Sequence, residues 1–203
     1  MQGTSGTVIA AAVGVMVGAI QGTSAGSASE PMASLAAPHI ELGRSTLPPL
    51  TYTMFCLRYD AECRPRRSFR GGPIRLTEER WTDLREVNRA VNLAIAPVRN
   101  ERGLAGEEWI INPARGDCND YAVSKRHELL RRGWPARVLL LSEVAVKSGE
   151  HHLVLLVRTL SGDLVLDNLA PEIAPWSWAP YRWIRVQRPS GNQLWATIDV
   201  KGS

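Results

Sequence analysis

Apolar residues in the first half of the chain recur at the three- and four-residue spacing that is typical of an amphipathic helix. Between Thr77 and Pro97 they fall at Trp81, Leu84, Val87, Val91 and Ile95. Thr77 is a suitable N-cap and Pro97 cannot continue a helix, so we predict a helix over residues 77–95. The stretch 50–63 shows no such period, and we predict a short strand or a loop there.

A second helix is predicted over Cys118–Arg132, and Gly133 ends it. Its apolar side is formed by Tyr121, Ala122, Leu129 and Leu130. Asp117 is a good N-cap, and Asp120, three residues later, can reach back to the backbone of the cap residue in a capping-box arrangement. Cys118 therefore lies in the first turn of this helix.

After the cysteine helix the pattern changes to strand-length runs rich in aliphatic and β-branched residues. These runs cover Arg137–Val146, His151–Thr159, Leu164–Asn168, Tyr181–Gln187 and Leu194–Asp199. Ser161-Gly162-Asp163 would connect the second and third runs as a hairpin. Helices followed by antiparallel strands predict an α+β fold, in which the helices pack on an antiparallel sheet.

The composition is that of an ordinary globular domain. The chain has 203 residues, of which 44% are hydrophobic and 22% are charged. This length is sufficient for one domain with a hydrophobic core. The formal net charge is only +4. A dedicated nucleic-acid binder would carry a stronger basic excess, so we do not expect nucleic acid to be a partner.

The N-terminal region contains an apolar run, Val8–Ile20, that has signal-peptide length and is short for a membrane span. Small residues follow, and cleavage after Ala25 or Ala28 fits the small-x-small pattern. No Lys or Arg precedes Arg44, so the usual positive n-region is missing. An uncleaved anchor is therefore the alternative to a cleaved signal peptide.

We accordingly expect residues 1–28 to be a signal peptide or anchor, 29–50 a flexible linker and 51–203 the folded domain. This organisation predicts a periplasmic or secreted protein. In such an oxidising compartment, the neighbouring Cys56 and Cys63 can form a disulfide, which leaves the third cysteine of the chain free.

Cys118 is the candidate nucleophile. Backbone N–H groups and the helix dipole in the first turn of a helix favour a negative charge, and the thiolate is the reactive form of cysteine. Asp117 and Asp120 oppose this effect, so a thiolate at Cys118 needs a cationic partner. The alternative is a small buried cysteine with only a structural role.

The predicted hairpin brings a histidine near an aspartate, because His151 and His152 open one strand and Asp167 ends the other. Side chains alternate along a strand, so only one of the two histidines can face the same way as Asp167. A turn at Ser161-Gly162 places Asp167 opposite Leu156, which has the same parity as His152. In this register the residue opposite Asp167 is four residues along the strand from His152. We therefore expect a wider loop or a bulge to bring His152 and Asp167 together.

Cys118, His152 and Asp167 together predict covalent catalysis at a carbonyl carbon. Cys118 would attack, and His152 as imidazolium would stabilise the thiolate and then protonate the leaving amine. Asp167 would orient the imidazole ring. The backbone N–H of Cys118 and a donor from the preceding loop, for which the Trp109 indole is the candidate, would hold the oxyanion.

Several segments that contain these residues resemble the bacterial transglutaminase-like cysteine proteinases, a family that includes the periplasmic adhesin protease of the Lap biofilm system. They are Val87–Asn92, Glu108-Trp109, Gly116–Ala122, Gly133–Pro135, His152–Leu155 and Val165–Leu169. The resemblance covers residues 74–198. It implies a papain/transglutaminase-like core, a triad of Cys118, His152 and Asp167, and a secreted or periplasmic endopeptidase.

The resemblance also implies calcium bound by acidic residues beside the cysteine, at the positions of Asp117, Asn119 and Asp120. Asn119 replaces the usual Glu, which removes a carboxylate from a hard-cation site and should weaken calcium binding. We therefore expect that no cofactor is required, and calcium remains the alternative. In the Lap system the protease cuts a large surface adhesin and is sequestered by a cyclic-di-GMP-responsive membrane receptor. The residues of this chain identify neither partner by themselves.

Two other functions are compatible with the same residues. If an amine rather than water intercepted the acyl-enzyme, the result would be transglutaminase or amidase chemistry, and the sequence does not distinguish the two acceptors. The third function is that of a non-catalytic envelope protein that keeps the fold for binding. An intact triad argues against this third function.

Overall fold

A computed structural model describes most of the chain. The described ranges are 1–3, 36–64, 71–99, 107–189 and 191–199. The apolar run and the small residues on which we predict a signal peptide lie outside them. The chain divides into two compact units, Met1–Glu30 and Pro31–Ser203, and every element below belongs to the second. Within the described ranges, no helix has the length and apolar character needed to cross a membrane.

The second unit mixes helices and strands, and the predicted α+β class is confirmed. The described helices are α1 Leu50–Arg58, α2 Asp60–Cys63, α3 Glu78–Ala94 and α4 Cys118–Arg131. The strands of the large sheet are β1 Leu42–Thr46, β4 Leu139–Ala145, β5 His151–Thr159, β6 Gly162–Leu166, β7 Ala174–Pro175, β8 Arg182–Arg188 and β9 Gly191–Ile198. A separate small pair is formed by β2 Ala96–Pro97 and β3 Arg115–Gly116.

The large sheet has seven strands in the order β1-β9-β8-β4-β5-β6-β7, and all its neighbouring strands are antiparallel. Alternate residues of β5 enter two different apolar clusters. Leu153, Leu155 and Val157 belong to the cluster that includes α3 and α4. Val154 and Leu156 belong to a cluster on the other face, with Ile40. Because both faces are covered, the central strands are continuously apolar rather than alternating.

The register of the β5–β6 hairpin differs from the predicted one. Thr159 pairs with Gly162 across a two-residue turn, and no bulge interrupts the pairing. The turn therefore precedes Gly162, which has φ 126° and whose missing side chain leaves room for the backbone of Ala37. Continuing this register, Asp167 falls level with Val154 and only two residues from His152. The expectation of a bulge or wide loop was wrong.

The stretch 50–63, predicted to be a strand or a loop, forms α1 and α2 instead. Tyr52 and Phe55 lie three residues apart and are both buried in the main cluster, as a helix face requires. The opposite face carries exposed apolar side chains, namely Leu50, Met54 and Leu57. Apolar residues on both faces hide the helical period in the sequence. A disulfide joins Cys56 to Cys63, with their Cα atoms 5.5 Å apart.

The segment predicted to be the end of a linker is part of the sheet. Leu42–Thr46 pairs with β9, and Ile40 just before it is only 2% exposed. The backbone N–H of Ile40 donates to Oδ2 of Asp163 at 2.8 Å. A linker therefore cannot extend to residue 50, because the folded part of the chain already includes Ile40.

Candidate active site

The sequence around the cysteine folds as predicted, with Cys118 as the first residue of α4. Oδ1 of Asp117 accepts the backbone N–H of Asn119 at 3.0 Å, and Oδ2 of Asp120 accepts the backbone N–H of Asp117 at 3.0 Å. This confirms the capping box. Gly116 is required just before it, because a Cβ atom there would collide with the Asp120 carboxylate. The box fixes the direction in which the first turn presents Cys118.

The environment of Cys118 favours a neutral thiol. Burial raises its pKa to about 12, and the negative charges of Asp117, Glu107 and Asp167 act in the same direction. A hydrogen bond from the backbone of Leu153 acts against them and lowers the pKa. Leu153 directly follows His152 in β5, so this contact brings the sulfur to the end of the strand that carries the histidine.

His152 and Asp167 form a buried pair. Nε2 of His152 lies 2.8 Å from Oδ1 of Asp167, and the two residues are 5% and 3% exposed. Burial by itself would raise the pKa of Asp167. The hydrogen bond and charge of His152, the hydroxyl of Tyr181 and the backbone N–H of Leu169 outweigh it, so the pKa is lowered. Asp167 is therefore held as a carboxylate.

Cys118 and His152 both line two cavities, which places the thiol and the imidazole in the wall of one cleft. The smaller cavity has a volume of about 290 Å³ and is also lined by Leu50, Trp109 and Leu153. The larger has a volume of about 540 Å³, and its lining includes Val98, Gly116 and Leu169.

The other histidine of the pair has a different partner. Nδ1 of His151 lies 2.5 Å from Oε1 of Glu143, and Arg185 donates to the other oxygen of the same carboxylate. The His151 side chain is mostly exposed. The structure therefore brings His152, rather than His151, to Asp167.

Trp109, the predicted oxyanion donor, lies in the wall of the smaller cavity and is buried. The pKa of Glu107 is raised, chiefly by burial, and the nearby Trp109 indole acts against that rise. Within the described ranges the indole N–H has no well-formed hydrogen bond. The indole therefore lies near Glu107, in the wall of a cavity that Cys118 also lines. Its role at an oxyanion remains a prediction.

Three residues around the site were not identified from the sequence as functional, and two of them contact Asp167. The hydroxyl of Tyr181 donates to Oδ2 of Asp167, and the side-chain amide of Asn92 donates to its main-chain oxygen at 2.9 Å. Asn88, one turn before Asn92 on α3, donates to the main-chain oxygen of Pro171 at 3.0 Å. Two Asn side chains one turn apart on a helix were a usable signal in the sequence. No local signal in the sequence points to Tyr181.

The positions compared with a calcium site are already occupied by hydrogen bonds. Both oxygens of Asp120 accept backbone N–H groups, those of Ile110 at 2.7 Å and Asp117. The amide nitrogen of Asn119 donates to Glu107 and, at 3.1 Å, to Asp117. No group of three or more His, Cys, Asp or Glu side chains in the described ranges is arranged to hold a metal ion. As arranged, these residues do not fit a calcium site.

A buried lysine lies on the same helix as the cysteine. Lys125 is 0% exposed, and the described ranges contain no hydrogen-bond partner for its Nζ. Burial lowers its pKa to about 7, and the charge of Asp167 opposes the change. Lys125 is thus a buried amine near Asp167, in an environment that favours its neutral form.

Comparisons with known proteins give a family match and similar solved structures. The family model of the bacterial transglutaminase-like cysteine proteinases matches residues 42–203. The calcium-bound structure of Legionella pneumophila LapG is similar, with a TM-score of 0.50 and 21% identity, over 72% of this chain and 77% of that chain. A second structure of Legionella pneumophila LapG gives a TM-score of 0.48 and 24% identity, over 57% and 68%. A comparison with curated protein sequences gave no match.

We predict that Lys125→Met changes how stability depends on pH. Between about pH 7 and pH 10 the unfolded chain binds the lysine proton and the folded chain does not, so this group makes the unfolding free energy rise with pH. Lys125 makes the unfolding free energy rise by up to about 1.4 kcal/mol per pH unit in this range. Urea denaturation at several pH values should therefore show the variant to be more stable than wild type near pH 6, with a gain that shrinks toward pH 9. A constant difference between the two proteins would contradict this.

Proposed function

Since the chain belongs to the bacterial transglutaminase-like cysteine proteinase family, and is therefore a cysteine peptidase, we propose that it is an endopeptidase of the cell envelope. Its catalytic residues are Cys118, His152 and Asp167. The observation that carries the proposal is the 2.8 Å contact between His152 Nε2 and Asp167 Oδ1, in the wall of a cavity that Cys118 also lines. An imidazole oriented by a buried carboxylate beside a thiol is the arrangement that covalent catalysis by cysteine requires, and this supports the proposal.

The tautomer follows from the contacts. Nε2 of His152 donates its hydrogen to the Asp167 carboxylate, which leaves Nδ1 to accept the proton of the Cys118 thiol. The resulting imidazolium lies between two negative groups, the thiolate and the carboxylate. This ion pair supplies the cation that the thiolate needs against burial and the surrounding acids.

The reaction then proceeds in two halves. The thiolate of Cys118 attacks the peptide carbonyl carbon, and the developing oxyanion accepts hydrogen bonds from the backbone N–H of Cys118 and the indole N–H of Trp109. His152 gives its Nδ1 proton to the leaving amine, so the C–N bond breaks and a thioester remains. A water molecule, deprotonated by His152, attacks the thioester. The carboxylic acid leaves, and the proton on His152 restores the thiol.

The cell-envelope location rests on two features. Val8–Ile20 has the length and apolar character of a signal peptide. The disulfide between Cys56 and Cys63 is a bond that persists in oxidising compartments such as the periplasm. Both features favour a periplasmic or secreted protein, while the apolar run leaves cleavage and anchoring as alternatives.

The substrate and the regulator are proposed from the family resemblance. The substrate is a protein, and a surface protein such as an adhesin is the candidate, because the Lap-type protease of this family acts on one. A cyclic-di-GMP-responsive membrane receptor is the corresponding candidate for a regulator. The two cavities beside Cys118 favour an extended segment of polypeptide over a small molecule as the bound species.

We expect Cys118→Ala to abolish cleavage, with kcat/KM lower by at least about 10³-fold, because the nucleophile is lost. Envelope proteins incubated with wild type or with this variant would be compared by mass spectrometry of new N-termini. Running the digestion in H₂¹⁸O identifies the acceptor, since hydrolysis places ¹⁸O in the new C-terminus whereas acyl transfer leaves an amine adduct. Identical sets of N-termini from both proteins would show that Cys118 is not the nucleophile.

We also propose that calcium is not required, because the amide of Asn119 takes the place of a cation between Glu107 and Asp117. Chelation by EGTA or addition of millimolar calcium should then move the melting temperature of wild type by less than about 1 °C. Asn119→Glu replaces this donor with a third carboxylate, so calcium should raise the melting temperature of the variant by several degrees.

Asn119→Gln is the matched control, because it has the length of Glu but keeps an amide. It should behave like wild type and show no response to calcium. A wild-type protein that loses its thermal stability or its activity in EGTA would overturn the proposal of calcium independence.

A further inference from the structure

Tyr181 contacts two members of the proposed triad from a separate part of the chain. It lies immediately before β8, and its hydroxyl donates to Oδ2 of Asp167. Its ring is also tilted against the imidazole of His152, with centroids 5.7 Å apart and planes at 57°. One side chain thus contacts the carboxylate through its hydroxyl and the imidazole through its ring.

Each acceptor of Asp167 has its own donor. Oδ1 accepts from His152 and, at 3.0 Å, from the backbone N–H of Leu169. Oδ2 accepts from Tyr181, and the main-chain oxygen accepts from Asn92. With Tyr181 in place, the carboxylate cannot rotate without giving up a hydrogen bond in a site that is almost fully buried.

We propose that Tyr181 is a positioning residue of the triad, which fixes the Asp167 carboxylate so that Oδ1 faces the imidazole and which covers one side of the His152 ring. This role rests on the proposed function of the Cys118 site. It adds a fourth side chain to the triad, one that acts through Asp167 and His152 rather than by touching the substrate.

The titratable groups that face Asp167 determine whether its pKa is raised or lowered. They are His152 from β5, Cys118 and Lys125 from α4, and Tyr181 itself. Burial, and then the bond to Asp167, raise the pKa of Tyr181, so its hydroxyl keeps its proton and remains a donor throughout the working range of pH. Its hydrogen bond in turn lowers the pKa of Asp167.

Removing the hydroxyl should therefore raise the pH below which the Cys118 thiol loses its reactivity. In Tyr181→Phe the carboxylate loses a donor, its pKa rises, and it becomes protonated earlier as the pH falls. Protonated Asp167 no longer supports the imidazolium that stabilises the thiolate of Cys118. The acid side of the pH profile of thiol reactivity should move up by about one pH unit, the size expected for one charge-assisted hydrogen bond.

The experiment measures the rate of Cys118 alkylation by iodoacetamide from pH 4 to pH 9, with the disulfide intact, in the full chain. Tyr181→Phe should show the shifted acid limb and a maximal rate several-fold lower. Tyr59→Phe is the matched control, because it removes a hydroxyl from a tyrosine that packs on Phe55. Its profile should superimpose on that of wild type.

A second variant keeps the test independent of folding defects. Replacement of Tyr181 by 3-fluorotyrosine preserves its shape and makes the hydroxyl a stronger donor, so the acid limb should move to lower pH. His152→Ala and Asp167→Asn distinguish a failure of the triad from a failure of the Tyr181 role. If these two variants slow alkylation while the Tyr181 variants follow wild type, the positioning role is refuted. If neither His152→Ala nor Asp167→Asn slows alkylation, the triad itself is refuted.

Discussion

The site depends on one carboxylate that stays charged although it is almost completely buried. Burial alone would raise the pKa of Asp167, and the hydrogen bonds that it accepts from His152, Tyr181 and the Leu169 backbone outweigh that effect. Each donor comes from a different place in the fold. The imidazole is on β5, the hydroxyl precedes β8, and Asn92 on α3 fixes the main chain of Asp167. The sheet and α3 therefore act together to keep this one charge in place.

The environment of Cys118, unlike that of Asp167, favours the neutral form of the side chain. The first turn of α4 favours an anion, but burial and the acids Glu107 and Asp117 raise the pKa of the Cys118 thiol to about 12. The sulfur is therefore unreactive unless the imidazole takes its proton. In the proposed mechanism the carboxylate behind the imidazole favours that transfer, and the reactivity of Cys118 then depends on residues of other elements. The proposed nucleophile would therefore be reactive only in the intact fold.

Much of the site could be predicted because its determinants are local. The capping box depends on Asp117 and Asp120, three residues apart, and the alternation of side chains along β5 was sufficient to select His152 over His151. The helical period likewise predicted α3, where Thr77 caps the first turn by accepting the backbone N–H of Arg80 at 3.3 Å.

The predictions that failed depended on contacts that no local pattern records. The register of β5 and β6 was wrong by two residues, because the turn is placed by the positive φ of Gly162. Helix α1 was missed because apolar side chains occupy its exposed face as well as its buried one. Tyr181 was missed because it precedes β8, which lies beside β5 and β6 only once β4 has paired between them, so no local pattern links it to His152 and Asp167.

The reactivity of Cys118 near pH 7, compared with the same thiol in the urea-unfolded chain with its disulfide intact, tests the central claim most directly. The unfolded chain supplies an ordinary thiol, of which only a few per cent is thiolate at this pH. If His152 and Asp167 create the ion pair, the folded protein should react with iodoacetamide at least about tenfold faster than the unfolded one. If burial and the nearby acids dominate instead, the folded protein will react more slowly, and the account of a cysteine activated by an oriented imidazole is wrong.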